Sequence, residues 1–328
     1  MALLFSKAST RTRTSFEVGV YQMGGLGNYM NTAELQAGRG EPLRDTARVL
    51  GRYYDCAVWR TYRQRDLEEL AELSGIPVIN GLTDYAHPCQ VLADLMTIRE
   101  RRGTLAGLKL CFVGDGSNMA NSLIVGGLLA GMQVSCVCPP GYRPAADVLM
   151  FAHKYGNAFH LTTDPAEGLR DADIVATAAW NTTAPGTAES EQRLRDFVGF
   201  QLTGRLLENA KPGALVLHCL PAHRGEVVLN HQHDGRRLPA AGGIFADRTR
   251  MHLVVGTQAV HIDTAVAAQL LGELLRQHGV VPDRKIAQGV FQGQRLLLVR
   301  KDVLAFGRMV DPFVIGFRGG QPDRKSVV

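Results

Sequence analysis

Ser9-Thr10-Arg11-Thr12-Arg13 packs three hydroxyls and two guanidinium groups into five residues. The apolar run before it, Ala2 to Phe5, reads as a strand, and Ser15-Phe16-Glu17-Val18-Gly19-Val20 after it reads as the first turns of a helix. The stretch is therefore expected at a strand-to-helix turn, where free backbone N–H groups and the positive end of the helix dipole favour an anion. Arginine adds bidentate contacts to phosphate oxygens, which a lone lysine does not make. A solvated basic loop is the competing reading of these five residues. Partners elsewhere in the chain decide between the two.

The chain of 328 residues suits two domains of ordinary size. Its 45% hydrophobic and 20% charged content is that of a soluble globular protein, and the net charge of +5 is compatible with anionic small molecules. No basic run is long enough, or interleaved with aromatics, to argue for a nucleic-acid partner. No apolar run reaches membrane-spanning length, and no signal-peptide pattern opens the chain, so a cytoplasmic protein is expected. The six cysteines (Cys56, Cys89, Cys111, Cys136, Cys138, Cys219) form no CxxC pair, which favours reduced thiols over disulfides or zinc; no metal site is expected.

Working outward, strands and helices alternate. Glu41 to Tyr54 is helical in spacing, and Cys56 to Arg60 is a short strand ending in a charge. Asp66 is placed to cap a helix from Leu67 to Leu73, and Val78-Ile79 follows as a strand. Val91, Leu92, Leu95 and Ile98 mark a helix from Pro88 that runs out in Arg99-Glu100-Arg101-Arg102-Gly103, where the domain boundary is drawn. Beyond it Leu108 to Val113, Val134 to Val137, Ala158 to Leu161, Ile174 to Thr177 and Leu215 to His218 read as strands, with Asn118 to Leu129 the first intervening helix. Such alternation implies an α/β protein with two parallel sheets, whose ligands bind beyond the carboxyl ends of the strands. Arg60, Asp115, Ala178 and Cys219 fall at such ends.

Gly114-Asp115-Gly116, between a strand and a helix, partly matches a dinucleotide fingerprint. The third glycine is missing, however, and the next strand runs into Pro139-Pro140 with no acidic residue for a ribose. A Rossmann dehydrogenase is therefore disfavoured, and no cofactor is expected. Ser117-Asn118-Met119-Ala120-Asn121 instead offers side-chain amides that suit either a helix cap or a polar ligand. His87-Pro88-Cys89-Gln90 opens a helix with Pro in its first turn. His218-Cys219-Leu220-Pro221-Ala222-His223-Arg224-Gly225 ends the last clear strand. Taken singly, His87 fits a helix cap equally well, and Cys219 a small buried hydrophobe.

Together, Ser-Thr-Arg-Thr-Arg, His-Pro-Cys-Gln and His-Cys-Leu-Pro, in this order and spacing, resemble the aspartate/ornithine carbamoyltransferase family, and its ornithine branch in particular. Arg44 to Tyr53 and the run VGDGSNMANSL extend the likeness, which holds almost unbroken from about Leu3 to about Val228. The resemblance implies transfer of the carbamoyl group of carbamoyl phosphate to the side-chain amine of ornithine. It implies that Ser9, Thr10, Arg11 and Thr12 hold the phosphate, that Arg60 and His87 join them at the phosphate and carbonyl oxygen, and that Gln90 and the Leu220 carbonyl hold the carbamoyl NH2. Arg250 matches a substrate-contacting arginine, and Asn118, Cys219 and Leu220 match the amino-acid side, as do Thr182 and Thr183 by position. Gln36 matches the residue that family members lend to a neighbouring subunit, which implies a homotrimer or a multiple of one. By the same resemblance residues 1–100 bind carbamoyl phosphate, residues 101–250 bind the amino acid, and residues 251–278 form a C-terminal helix; residues 279–328 are unassigned.

The departures are local. The family's amine loop carries an Asp two residues before a Trp and then Ser-Met-Gly; here Ala178 precedes Trp180, and Thr182-Thr183-Ala184 follows. That removes a charge-assisted bond to the substrate ammonium. A carbamoyltransferase for another amine and a catalytically idle, anion-binding paralogue are therefore the alternatives. The family's helices before the first strand are absent from this sequence, and Leu296 to Val299 and Phe313 to Phe317 are candidate strands in the tail.

Overall fold

The computed structural model describes residues 1–180 and 186–220, together with Leu253–Val255 and Ile315–Gly316. It divides into two compact units: the first contains Met1–Asp84 and the strand Ile315–Gly316, and the second starts at Tyr85 and contains Leu253–Val255.

In the first unit β1 (Ala2–Phe5), α1 (Thr10–Gln22), β2 (Asn28–Asn31), α2 (Leu43–Tyr53), β3 (Ala57–Arg60), α3 (Gln64–Ser74) and β4 (Val78–Leu82) follow one another. Strands β4, β3, β1 and β2 lie side by side and parallel. All four residues of β1 are buried, because this central strand is covered on both faces. Ala2, Leu4, Ala57 and Trp59 face α2 and α3 through Leu50, Leu67 and Leu70; Leu3, Phe5 and Val58 form the opposite face, where Phe16 of α1 packs. Gly51 is required where α2 meets α3, since a Cβ there would fall 1.8 Å from the Ser74 carbonyl oxygen.

The second unit runs α4 (Pro88–Arg102), β5 (Lys109–Val113), α5 (Asn118–Leu129), β6 (Gln133–Val137), α6 (Ala146–His153), β7 (Phe159–Thr162), α7 (Pro165–Leu169), β8 (Ile174–Thr177), α8 (Ala188–Asp196), α9 (Gly204–Leu207) and β9 (Leu215–His218). With β10 (Leu253–Val255) the strands form one parallel sheet in the order β10-β9-β8-β5-β6-β7. Eleven of the twelve residues of α5 are buried, as its apolar sequence requires. The helix on which the sequence boundary was drawn, α4, packs on α5 and so groups with this unit.

The expected α/β class with two parallel sheets is what the chain forms, with β11 (Ile315–Gly316) added antiparallel to β4 inside the expected segment 313–317. Three local expectations change. The stretch from Thr10 is itself the first turn of α1 rather than a loop before it, with Ser9 as the N-cap. Asp66 does not cap α3; it lies in the first turn and binds Arg63, 2.8 Å away. Strand β2, Asn-Tyr-Met-Asn, was not expected at all. Thr182, Thr183, Arg250, the helix expected in 251–278, Leu296 to Val299 and most of 279–328 lie outside the described residues. No helix among the described residues is long and apolar enough to cross a membrane.

Candidate functional site

Parallel pairing puts the carboxyl ends of β1 and β3 level, with Phe5 opposite Arg60. Ser9 then caps α1: its Oγ accepts from the Thr12 N–H at 3.2 Å, leaving the hydroxyl proton to donate outward. Arg60 ends β3 and donates from Nη1 to Thr12 Oγ1 at 3.4 Å. Thus Ser9, Thr10, Arg11, Thr12 and Arg60 gather at the carboxyl ends of β1 and β3, at a helix N-terminus.

The two arginines of the stretch part company. Arg13 binds Glu17 at 3.1 Å and lies over the Tyr29 ring at 3.5 Å, so its charge is already used within the unit. Arg11 is exposed and makes no ion pair with a described residue. Of the two, Arg11 is the one whose charge no described residue uses. Gln36 is also exposed, opening a 3-10 turn beyond the end of β2.

In the second unit His87 occupies the N-cap position of α4, with Pro88 next, but its side chain makes no capping bond. Its backbone N–H donates to Ser122 Oγ at 2.8 Å, which ties the start of α4 to α5. Gln90, one turn on, donates from Nε2 to Asp94 Oδ1 at 3.0 Å. Asp94 is 7% exposed and sits in the apolar stripe of Val91, Leu95 and Ile98; burial pushes its carboxyl up to about 7, opposed by the bond from Gln90.

Asn118, Ala178 and Cys219 follow β5, β8 and β9, three neighbouring strands whose ends Val113, Thr177 and His218 are in register. Asn118 and Cys219 are partly exposed, whereas Ala178 is buried. Ser117 takes the N-cap position of α5 without a side-chain bond, and Asn121 is used structurally, donating to the Tyr85 carbonyl and accepting from the Ala145 N–H. Leu220 has φ 51°, and its N–H donates to His218 Nδ1 at 2.8 Å. A left-handed leucine costs about 1–2 kcal/mol, and strain of this kind concentrates at ligand sites.

The glycine turn after β5 is filled by the chain itself. Gly116 N–H donates to the Tyr142 carbonyl at 2.9 Å, and a Cβ on Gly116 would fall 2.3 Å from the Arg143 backbone. Asp115 of the same turn binds Arg193 of α8 at 2.8 Å, and burial raises its carboxyl against the pull of that guanidinium. Arg193 Nη1 also donates to the Trp180 carbonyl at 2.8 Å, while the Trp180 ring stacks on Phe197 at 4.5 Å. The turn therefore anchors the residue that precedes the altered loop. Arg193 carries no signal in the sequence that marks it as a partner of this turn, whereas Asp94 does carry one, as an acid inside an apolar stripe. Among the described residues no group of three His, Cys, Asp or Glu is placed to hold a metal ion.

Two family descriptions match the chain: "Aspartate/ornithine carbamoyltransferase, carbamoyl-P binding domain" over residues 1–100 and "Aspartate/ornithine carbamoyltransferase, Asp/Orn binding domain" over residues 106–239. The chain belongs to the aspartate/ornithine carbamoyltransferase family. Among its relatives, an ornithine carbamoyltransferase of Carboxydothermus hydrogenoformans is 44% identical over 279 residues, covering 83% of this chain and 85% of that protein. An anabolic ornithine carbamoyltransferase of Pyrococcus furiosus is 46% identical over 264 residues, covering 78% and 84%. The solved structure of ornithine carbamoyltransferase from Pyrococcus furiosus superposes with a TM-score of 0.69 at 40% identity, covering 85% of this carbamoyltransferase chain and 83% of the other. That from Thermus thermophilus gives 0.67 at 38%, covering 82% and 84%.

Proposed function

We propose that this carbamoyltransferase moves the carbamoyl group of carbamoyl phosphate to the side-chain amine of L-ornithine, giving L-citrulline and phosphate. The observation that carries the reading is the bond from Arg60, at the end of β3, to Thr12 in the capped first turn of α1, beside Arg11, which makes no ion pair among the described residues. The amine attacks the carbonyl carbon, an oxyanion forms and collapses, and phosphate leaves. Such a reaction asks the protein for clamps, oxyanion donors and orientation. Ser9, Thr10, Arg11, Thr12 and Arg60 serve as the phosphate clamp, with Arg250 reserved for substrate. Arg60 and His87 serve the carbonyl oxygen, and Gln90 and the Leu220 carbonyl serve the NH2. Asn118, Cys219, Leu220, Thr182 and Thr183 line the ornithine side.

The relatives are named for ornithine, and neither another amine nor an idle paralogue gains support from them. Ala178 nevertheless leaves the ornithine ammonium one carboxylate short. Ala178→Asp is expected to lower the ornithine KM about ten- to a hundred-fold, the worth of one charge-assisted bond. Steady-state citrulline formation by both proteins tests the activity and the residue together. A wild type that releases phosphate without forming citrulline removes the ornithine reading. An equally low KM in both proteins removes the role given to Ala178.

The same reading makes the protein a cytoplasmic homotrimer, or a multiple of one, with Gln36 reaching a neighbour's site. Mixed chains of Gln36→Ala and Arg11→Ala are then expected to regain part of the activity each lacks alone, because a mixed interface holds one intact site. A fully active monomer in sedimentation excludes this arrangement.

A further inference from the structure

The Gln90 side chain has a single hydrogen bond among the described residues, from Nε2 to Asp94 Oδ1 at 3.0 Å. The Asp94 carboxyl has no other hydrogen bond there, although it is buried. An ionised carboxylate only accepts, so the side of the Gln90 amide that faces it must be the NH2. The amide is planar, and its oxygen is thereby turned away from Asp94. Gln90 is partly exposed while Asp94 is not, so the oxygen is the end offered outward.

We infer that Asp94 is a positioning residue: it fixes the Gln90 amide with its oxygen toward the ligand, and so gives the site its preference for an N–H donor on the phosphate-linked group. This rests on the proposed role of Gln90 toward the carbamoyl NH2. Without Asp94 the amide flips freely, and a Gln NH2 facing a ligand NH2 offers no bond. Carbamoyl and acetyl groups have nearly the same shape. Discrimination between them rests on the acceptors that face the NH2, the Gln90 oxygen beside the Leu220 carbonyl, and a site built around such hydrogen bonds rejects the analogue that lacks the donor.

The test uses two stable phosphonates that differ only there, phosphonoacetamide with NH2 and 2-oxopropylphosphonate with CH3. Each is titrated calorimetrically into the full chain at pH 8, with inorganic phosphate as the control. Burial pushes the Asp94 carboxyl up to about 7, so pH 8 keeps it ionised. Wild type is expected to bind the amide about tenfold more tightly than the ketone. In Asp94→Leu, whose side chain suits the apolar stripe around it, that ratio is expected to fall to about one to threefold, with phosphate affinity unchanged. Asp94→Asn, which keeps the shape and offers both a donor and an acceptor, is expected to fall part of the way. It supplies the result if the leucine variant does not fold. A purely structural Asp94 would change stability and all three affinities together. If both variants keep the wild-type ratio, the inference is wrong while the Gln90 assignment stands. If wild type itself shows no preference, the Gln90 assignment fails and takes the inference with it.

Discussion

Arg11→Ala is expected to weaken carbamoyl phosphate binding by about a hundredfold or more. Two charge-assisted bonds at about 1.5–3 kcal/mol each are removed, and about 1.4 kcal/mol is a factor of ten. The neighbouring guanidinium supplies the control. Arg13 is committed to Glu17 and to the Tyr29 ring, so Arg13→Ala is expected to change the affinity by less than about threefold, the scale of a screened surface charge. Both residues are exposed, so neither change opens a buried cavity. Calorimetric titration of the two variants with phosphate and with carbamoyl phosphate gives the answer. Equal losses mean that only the local positive field matters; no loss in Arg11→Ala restores the solvated-loop reading of the stretch.

The split between Arg11 and Arg13 was not legible in the sequence, and the reason is geometric. A helix that starts at Thr10 puts residues four apart on one face, which carries Arg13 to Glu17 and away from Arg11. Placing the helix start near Ser15 hid that relation. Short apolar runs were legible almost to the residue: Ala2–Phe5, Ile174–Thr177 and Leu215–His218 form as read, because a strand buried on both faces is apolar along its length, with buried polar Thr177 and His218 only at the carboxyl ends. Strand β2 escaped for the converse reason. It is an edge strand with no buried residue, exposed at Asn28 and partly exposed after it, and Asn-Tyr-Met-Asn carries neither an apolar run nor alternation. At the site, the motifs supplied the residues to which roles are proposed, but the partners those and neighbouring residues bind were not legible. Asp66 looked like a cap and is an ion-pair partner, and Asp115 looked like part of a nucleotide turn and holds Arg193. Both bonds join residues that sequence spacing alone leaves ambiguous. The Asp115 pair spans 78 positions of chain.

The buried carboxyl of Asp94 is expected to cost stability above about pH 4. Its value in the fold is about 7, raised by burial, against about 3.9 in an unfolded chain. Below about pH 4 both states are protonated and the group costs nothing. Between about 4 and 7 the unfolded chain gives up the proton while the folded one keeps it, so stability falls as pH rises; above about 7 the whole cost is in place. About three pH units at 1.36 kcal/mol each make that cost about 4 kcal/mol. Asp94→Asn keeps an acceptor for Gln90 and removes the titration. Relative to wild type, its stability is expected to rise by about 2–3 kcal/mol between pH 5 and pH 8, measured by urea unfolding at the two values. The same difference at both pH values means that Asp94 does not titrate in this window. A stabler variant whose preference for the amide ligand also falls locates the reason for keeping a charge in an apolar stripe: the carboxylate weakens the fold and holds one amide the right way round.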